Sequence, residues 1–126
     1  MDTLGLQMDK FKKDTLRKPL IQLSIKPLSV NVAWQGKRFK SKEYKQYEEV
    51  VMLMLPNVNL PPKPYRFNIW YGFSSKSADI DNPTKPIIDI MQKKYGFNDK
   101  DIFVLHIEKE IVKKGSEYIR IEILSI

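Results

Sequence analysis

The sequence predicts a small domain of the α/β (α+β) class in which β-strands are interrupted by two helices. Three observations predict it. A length of 126 residues suits one domain, an apolar fraction of 42% suffices for a core, and segments of two-residue periodicity are interleaved with two segments of helical periodicity. We expect residues 19–126 to form this domain. Residues 1–18 are basic and poor in apolar side chains, so we expect an N-terminal arm there.

The first predicted elements are a strand and a basic ribbon. Residues 20–25 are apolar and β-prone, and Pro27 ends the strand. The basic ribbon, residues 34–40, interleaves aromatic and basic side chains around a turn predicted at Gln35-Gly36, and these side chains are Trp34, Lys37, Arg38, Phe39 and Lys40. Such a pattern can follow a DNA phosphate backbone, although Trp34 also fits a cap on the core.

The next elements are a helix and a strand. Ser41 suits the N-cap of a helix that runs to about Leu55. Three- and four-residue spacings predict that one face of this helix enters the core, and that face carries Tyr44, Tyr47, Val50, Val51 and Met54. Pro56 ends the helix. Residues 66–73 then alternate apolar and other side chains, which predicts a strand with Phe67, Ile69, Tyr71 and Phe73 on one face.

The remaining elements are a second helix and two strands. Asn82 and Pro83 suit the N-cap and the first residue of the helix, and Gly96 suits its end. The residues that anchor this helix in the core are Ile87, Ile88, Ile90 and Met91. Residues 102–109 and 117–126 predict two antiparallel strands joined by a turn at 113–115, with Ile119, Ile121 and Ile123 on one face.

Charge and cysteine content narrow the classes of function. The net charge is +7 and the sequence pI is about 9.5, which favours a polyanionic partner but also fits a solubilising surface. Cysteine is absent, which excludes disulfides, thiolate metal sites and a cysteine nucleophile, and agrees with a reducing cytoplasm. Apolar runs are far shorter than the roughly 20 residues of a membrane span. We therefore expect a cytoplasmic protein that does not enter membranes.

Acidic residues are concentrated after the predicted strand 66–73. On extended chain the spacing of Asp79 and Asp81 places both carboxylates on one side, where they repel each other unless a cation lies between them. Mg²⁺ binds such carboxylates together with phosphate oxygens and water. The alternative is that these residues cap the following helix. An EF-hand is excluded, because that loop needs glycine at the position of Thr84 and glutamate at that of Ile90.

A lysine accompanies these acids. Lys85 lies in the first turn of the second helix, where an ammonium can meet a bound phosphate. Asp89 follows four residues later, so a solvated ion pair with Lys85 is the alternative.

The segment from Asp79 to Asp89, with its D-x-D-N-x-x-K-x-x-x-D pattern, resembles the signature of the RusA family of Holliday junction resolvases, small endodeoxyribonucleases common in prophages. The resemblance spans roughly residues 20–125. The early Ser29-Val30-Asn31 and the acidic turn after Gly96-Phe97 are similar to two further elements of that family. The family usually has an Asp-Asp pair in the closing turn, whereas here Lys100 precedes Asp101.

This resemblance implies roles for individual residues. The metal ligands would be Asp79, Asp81 and Asp101, with Asp99 as the alternative third ligand, and Lys85 would be the catalytic lysine. The residues expected to contact DNA are Asn31, Lys37, Arg38 and Lys40. His106, the single histidine, is expected to be structural.

The resemblance also implies a mixed β-sheet flanked by helices and a homodimer with one metal site for each of the two equivalent strands of a four-way junction. Water activated by Mg²⁺, or by Mn²⁺, would attack the phosphodiester while Lys85 stabilises the developing charge. Two other classes of function stay open. One is a non-catalytic nucleic-acid-binding module, whose acids only cap a helix, and the other is a structural component of a phage particle.

Overall fold

Residues 20–28, 34–35 and 39–126 are described by the computed structural model, and they form six strands and two helices. In chain order these are β1 (Leu20–Leu23), β2 (Trp34–Gln35), β3 (Phe39–Lys40), α1 (Lys42–Met54), β4 (Tyr65–Phe73), α2 (Thr84–Tyr95), β5 (Ile102–Ile111) and β6 (Tyr118–Ser125). A short 3₁₀ turn, Asp99–Asp101, precedes β5. The predicted arm 1–18 lies outside the described residues.

Four of the strands form one mixed sheet in the order β1-β6-β4-β5. β4 pairs antiparallel with β6 and parallel with β5, and β1 pairs antiparallel with β6. β2 and β3 pair with each other in a separate two-stranded ribbon. The expected α+β fold with a mixed sheet and flanking helices is therefore confirmed.

The core lies between one face of this sheet and the two helices. The predicted apolar faces of β4 and β6 are confirmed, since Phe67, Ile69 and Tyr71 are fully buried and the three isoleucines of β6 are as well. The predicted anchors of α2, Ile87 to Met91, are buried against the same cluster. Burial of this one continuous face is the main source of stability for the domain.

Helix α1 begins where the sequence predicts. The Oγ of Ser41 accepts a hydrogen bond from the backbone N–H of Tyr44 at 3.1 Å, so Ser41 is the N-cap. Tyr44, Tyr47 and Val51 are buried, but Val50 and Met54 are 45% and 36% exposed. The predicted core face was too wide, because residues 50 and 54 lie on a neighbouring face of the helix that the described part of the chain leaves uncovered.

Helix α2 begins one residue later than predicted. Pro83 precedes the first helical residue, Thr84, and the Asn82 side chain does not cap the helix but donates to Asp79. Thr84 is fixed by tertiary contacts instead, because its Oγ1 donates to the carbonyl of Ile80 at 2.9 Å and lies 2.8 Å from the hydroxyl of Tyr71 in β4. The predicted end at Gly96 is confirmed, with Gly96 in the left-handed conformation at φ 74°.

The last two strands are not neighbours, although the sequence predicts them as an antiparallel pair. β4 lies between them, and β5 reaches β4 through the crossover helix α2, so β4 and β5 run parallel. The register pairs Tyr65 with Ile102 and Phe73 with Ile111. Residues just after β4 and residues just before β5 therefore lie at opposite ends of the sheet.

Candidate functional site

The two aspartates of the D-x-D pair lie in the loop between β4 and α2. Asp79 and Asp81 are both exposed, and the Asn82 Nδ2 donates to the Asp79 carboxylate at 3.2 Å. No described lysine or arginine lies within 4.0 Å of either carboxylate. The loop thus presents two uncompensated negative charges beside the first turn of α2, an arrangement that attracts cations.

Lys85 extends from the first turn of α2 and is 62% exposed. Its ammonium donates to the Asp89 Oδ1 at 2.8 Å, so the predicted pair between these residues is present. The hydrogen bond from Lys85 to Asp89 and the neighbouring negative charge raise the pKa of Lys85, although partial burial opposes the shift. Lys85 therefore carries its proton at neutral pH and can act as a cation but not as a general base.

Asp99, the alternative third ligand, is tied to the same flank of α2. Its backbone N–H donates to the Gln92 Oε1 at 2.9 Å, and the Gln92 Nε2 reaches the Asp89 carboxylate at 3.4 Å. The charge of Asp99 also contributes to the raised pKa of Lys85. Lys85, Asp89 and Asp99 thus form one electrostatically coupled group along the helix.

Asp101 lies at the other end of the sheet from the D-x-D pair. It ends the 3₁₀ turn that leads into β5, and its carboxylate is 3.8 Å from the Nζ of Lys63, just before β4. Helix α2 has 12 residues, or about 18 Å of rise, and it separates the two regions. Within the described residues no three carboxylate or histidine side chains are grouped closely enough to hold a metal ion. The expectation that Asp79, Asp81 and Asp101 converge within one chain is not met, because the β4-α2-β5 crossover carries them to opposite ends.

The residues expected to contact DNA fall mostly outside the described part of the chain, which leaves out Asn31, Lys37 and Arg38. Lys40 is described, and its ammonium donates to Glu48 at 2.9 Å and lies 4.9 Å from the centroid of the Tyr44 ring. Lys93 of α2 binds the same Glu48 carboxylate at 2.8 Å. Lys40 thus ties β3 to α1, and Glu48 offsets part of its charge.

A pocket of about 290 Å³ adjoins the D-x-D loop. Asp79 lines it together with Lys26, Ser74 and Glu117. The Ser74 hydroxyl donates to Glu117 at 2.7 Å, and this hydrogen bond lowers the pKa of Glu117. Sequence reasoning did not include Glu117, because it lies 43 residues from Ser74 and only the β4–β6 pairing brings the two together.

His106 lies on β5, outside the candidate site, with its Nε2 2.7 Å from the Glu108 carboxylate. Both side chains are about half exposed. This contact lowers the pKa of Glu108.

Across the described part of the chain, none of the helices is both long and apolar enough to span a bilayer. A scan against protein-family models found no match. A search of curated proteins found no similar sequence. The resemblance therefore depends on the motif residues alone.

Proposed function

We propose that the protein is a metal-dependent, structure-selective endodeoxyribonuclease that resolves four-way DNA junctions by paired nicks. One observation carries the proposal: Asp79 and Asp81 are exposed in the loop just before α2, with no described lysine or arginine within 4.0 Å, and Lys85 is exposed in the first turn of that helix. Carboxylates suit a hard divalent cation, and an ammonium at a helix N-terminus suits a phosphate group. The basic composition of the chain supports a DNA substrate.

The proposed cofactor is Mg²⁺, with Mn²⁺ as a substitute. One chain offers Asp79 and Asp81 but holds Asp101 at the far end of α2, so the three-carboxylate set does not fit a site within a single chain. Mg²⁺ prefers octahedral oxygen coordination and needs several such donors around it. The metal requirement therefore calls for a further donor from outside the chain.

A second copy of the chain can supply that donor. Each chain carries Asp79 and Asp81 at one end of its sheet and Asp101 at the other. Two copies related by a two-fold axis, with antiparallel sheets, bring the Asp101 end of each copy to the Asp79 end of the other. The proposed nuclease is thus a homodimer with two equivalent sites, which matches the two equivalent strands of a junction.

DNA binding is proposed for Lys37, Arg38 and Lys40 of the basic ribbon and for Asn31, which precedes it. Of these, Lys40 is partly neutralised by Glu48, so its contribution to DNA affinity is expected to be the smallest of the three basic residues.

The test compares cleavage of a fixed four-way junction and of a matched linear duplex over a series of Mg²⁺ concentrations. Paired nicks are expected in the junction alone and only with metal. Asp81→Asn keeps the shape of the side chain but removes its charge, so it should abolish nicking. Glu49→Gln is the matched control, because Glu49 is an exposed acid on α1, away from the loop. Paired nicks by the Asp81→Asn protein would refute the proposal.

A non-catalytic nucleic-acid-binding module is the second candidate. The hydrogen bond between Asn82 and Asp79 favours it, since it shows one of the two acids engaged in local turn structure. This candidate predicts no cleavage at any metal concentration, and it predicts that Asp79→Asn leaves junction affinity equal or higher. Its DNA binding should weaken steeply with salt.

A further inference from the structure

Helix α1 carries an apolar stripe on the flank that α2 does not cover. The stripe is formed by Val50, Leu53 and Met54, which are 45%, 87% and 36% exposed. The other flank of α1 packs beside α2, where Lys93 binds Glu48. Soluble proteins seldom leave neighbouring large apolar side chains open to water, so a stripe of this kind is typical of a contact surface.

A groove of about 500 Å³ adjoins this stripe. One wall of the groove is α1, and the other is the segment that follows β1, residues 25–28. Val50 belongs to the stripe and also lines the groove, together with Ile25, Leu28 and Tyr47. The stripe and the groove are therefore one continuous apolar surface, here named the α1 groove.

The chain enters β1 at the end of the sheet where α1 ends. Leu20, the first residue of β1, pairs with the last part of β6, and that part of β6 pairs with the start of β4. Helix α2 also ends there, before β5 begins, and the hydroxyl of its last residue, Tyr95, donates to the carbonyl of Pro56 just after α1 at 2.7 Å. The point of entry into β1 is thus at the same end of the molecule as the apolar stripe.

The N-terminal arm, residues 1–18, has a sequence that fits the α1 groove. Its few apolar residues include Leu4, Met8 and Phe11, which are spaced four and three apart and so share one face of a helix. The arm holds five basic residues against three acidic ones. The groove is bordered by Glu43 and Glu49, which are exposed and have no described lysine or arginine within 4.0 Å. Arm and groove are complementary in apolar pattern and in charge.

We propose that the N-terminal arm binds in the α1 groove of its own chain as an amphipathic helix, with Leu4, Met8 and Phe11 against the apolar stripe. Residues 13–19 then connect this helix to β1. Seven residues can span up to about 23 Å, which suffices to pass from the helix layer to the sheet. A helix of this length is marginal in water by itself, so its contact with the groove supplies its stability.

The arm is favoured over a second copy of α1 as the occupant. Two copies of α1 that packed through this flank would bring Glu43 and Glu49 of both copies into one interface, whereas the arm brings basic residues to these acids. The arm is also tethered close to the groove, which raises its effective concentration above that of a separate chain. This contact does not involve DNA cleavage, so it is tested independently of the proposed function.

Trypsin tests the contact in the full-length protein, because the arm offers it sites at Lys10, Lys12, Lys13 and Arg17. A protease cleaves a docked helix only after the helix opens, so docking slows cleavage. The reference is a synthetic peptide of residues 1–19, which has no groove to bind. We expect the arm of the protein to be cleaved at least about tenfold more slowly than the peptide, as followed by mass spectrometry.

Met8→Asp and Leu53→Asp each place a charge in the proposed contact, so both should restore cleavage to within about twofold of the peptide rate. Leu6→Asp is the matched control for Met8→Asp, because Leu6 lies on the opposite face of the helix and its replacement should leave the protection intact. Each arm variant is compared with a peptide that carries the same substitution. Leu53 is 87% exposed, so its replacement leaves the core intact, which circular dichroism verifies.

Cleavage of the wild-type arm at the peptide rate would overturn the proposal. Equal cleavage of the Met8→Asp and Leu6→Asp proteins would overturn the helical contact, and full protection in the Leu53→Asp protein would show that the arm binds elsewhere. Protection that disappears on dilution would assign the groove to the arm of a second copy, which also overturns a contact within one chain.

Discussion

Replacing Lys85 with alanine is expected to slow junction cleavage by about 10²-fold or more while leaving the stability of the domain almost unchanged. The side chain is 62% exposed, and the partner that it hydrogen-bonds among the described residues, Asp89, is four residues further along the same helix. Exposed ion pairs of this spacing stabilise a helix by about 0.3–0.5 kcal/mol. The positive end of the helix dipole disfavours a cation in the first turn, which offsets part of this contribution.

The net change in the free energy of unfolding is therefore expected to be below about 0.5 kcal/mol, or roughly 2 °C in Tm for a domain of this size. If Lys85 stabilises charge on the phosphate, its loss should lower the cleavage rate by about 10²-fold or more. Junction affinity should change little, because one phosphate contact among many is removed.

The assay combines thermal unfolding, a gel-shift titration of the junction without Mg²⁺, and single-turnover cleavage with Mg²⁺. Lys114→Ala is the matched control, because Lys114 is an exposed lysine in the turn between β5 and β6. Cleavage at the wild-type rate by the Lys85→Ala protein would show that Lys85 only forms the ion pair with Asp89 and has no role in catalysis. A fall in Tm of more than about 5 °C would show that the pair is structural and that the reasoning from exposure is wrong.

Two further predictions concern stability. Glu48→Gln should lower the free energy of unfolding by about 1 kcal/mol at pH 7, since it removes the carboxylate charge that both Lys93 and Lys40 contact. Burial opposes ionisation of Glu48, but the hydrogen bonds from the two lysines outweigh it and lower its pKa below the usual value of about 4.5. In urea titrations the destabilisation should therefore begin to shrink below about pH 4.5 and disappear only when the pH is below the lowered pKa. A destabilisation that persists at still lower pH would contradict this. Tyr71→Phe removes a buried hydroxyl 2.8 Å from the Thr84 Oγ1 and should cost about 1 kcal/mol in the same titrations, and an unchanged stability would show that this bond does not anchor the start of α2.

The parts of the fold that depend on residues close together in the sequence were predictable from it. Ser41 and the spacing of Tyr44, Tyr47 and Val51 define α1, because capping and helical periodicity are local properties. The alternation in residues 66–73 likewise defines β4. The first residue of α2 was not predictable, because Thr84 is fixed by Tyr71, a residue of the neighbouring strand.

Strand pairing and the geometry of the candidate site were beyond sequence reasoning for the same reason. Periodicity shows which residues share a face but not which strands lie side by side, so β5 and β6 were predicted as a pair when β4 separates them. The motif spacing of Asp79, Asp81 and Asp101 carries no information on which end of the sheet each residue occupies. That placement follows from the parallel register of β4 and β5.

The most direct test of the proposed shared site mixes two inactive variants, Asp81→Asn and Asp101→Asn, and measures junction nicking with Mg²⁺. If each site takes Asp81 from one copy and Asp101 from the other, a mixed dimer contains one site with both wild-type acids. Half of the dimers in an equimolar, fully exchanged mixture are mixed, so nicking should return to about a quarter of the wild-type rate. No recovery in the mixture, with cleavage by the wild-type protein intact, would show that two copies do not share the site.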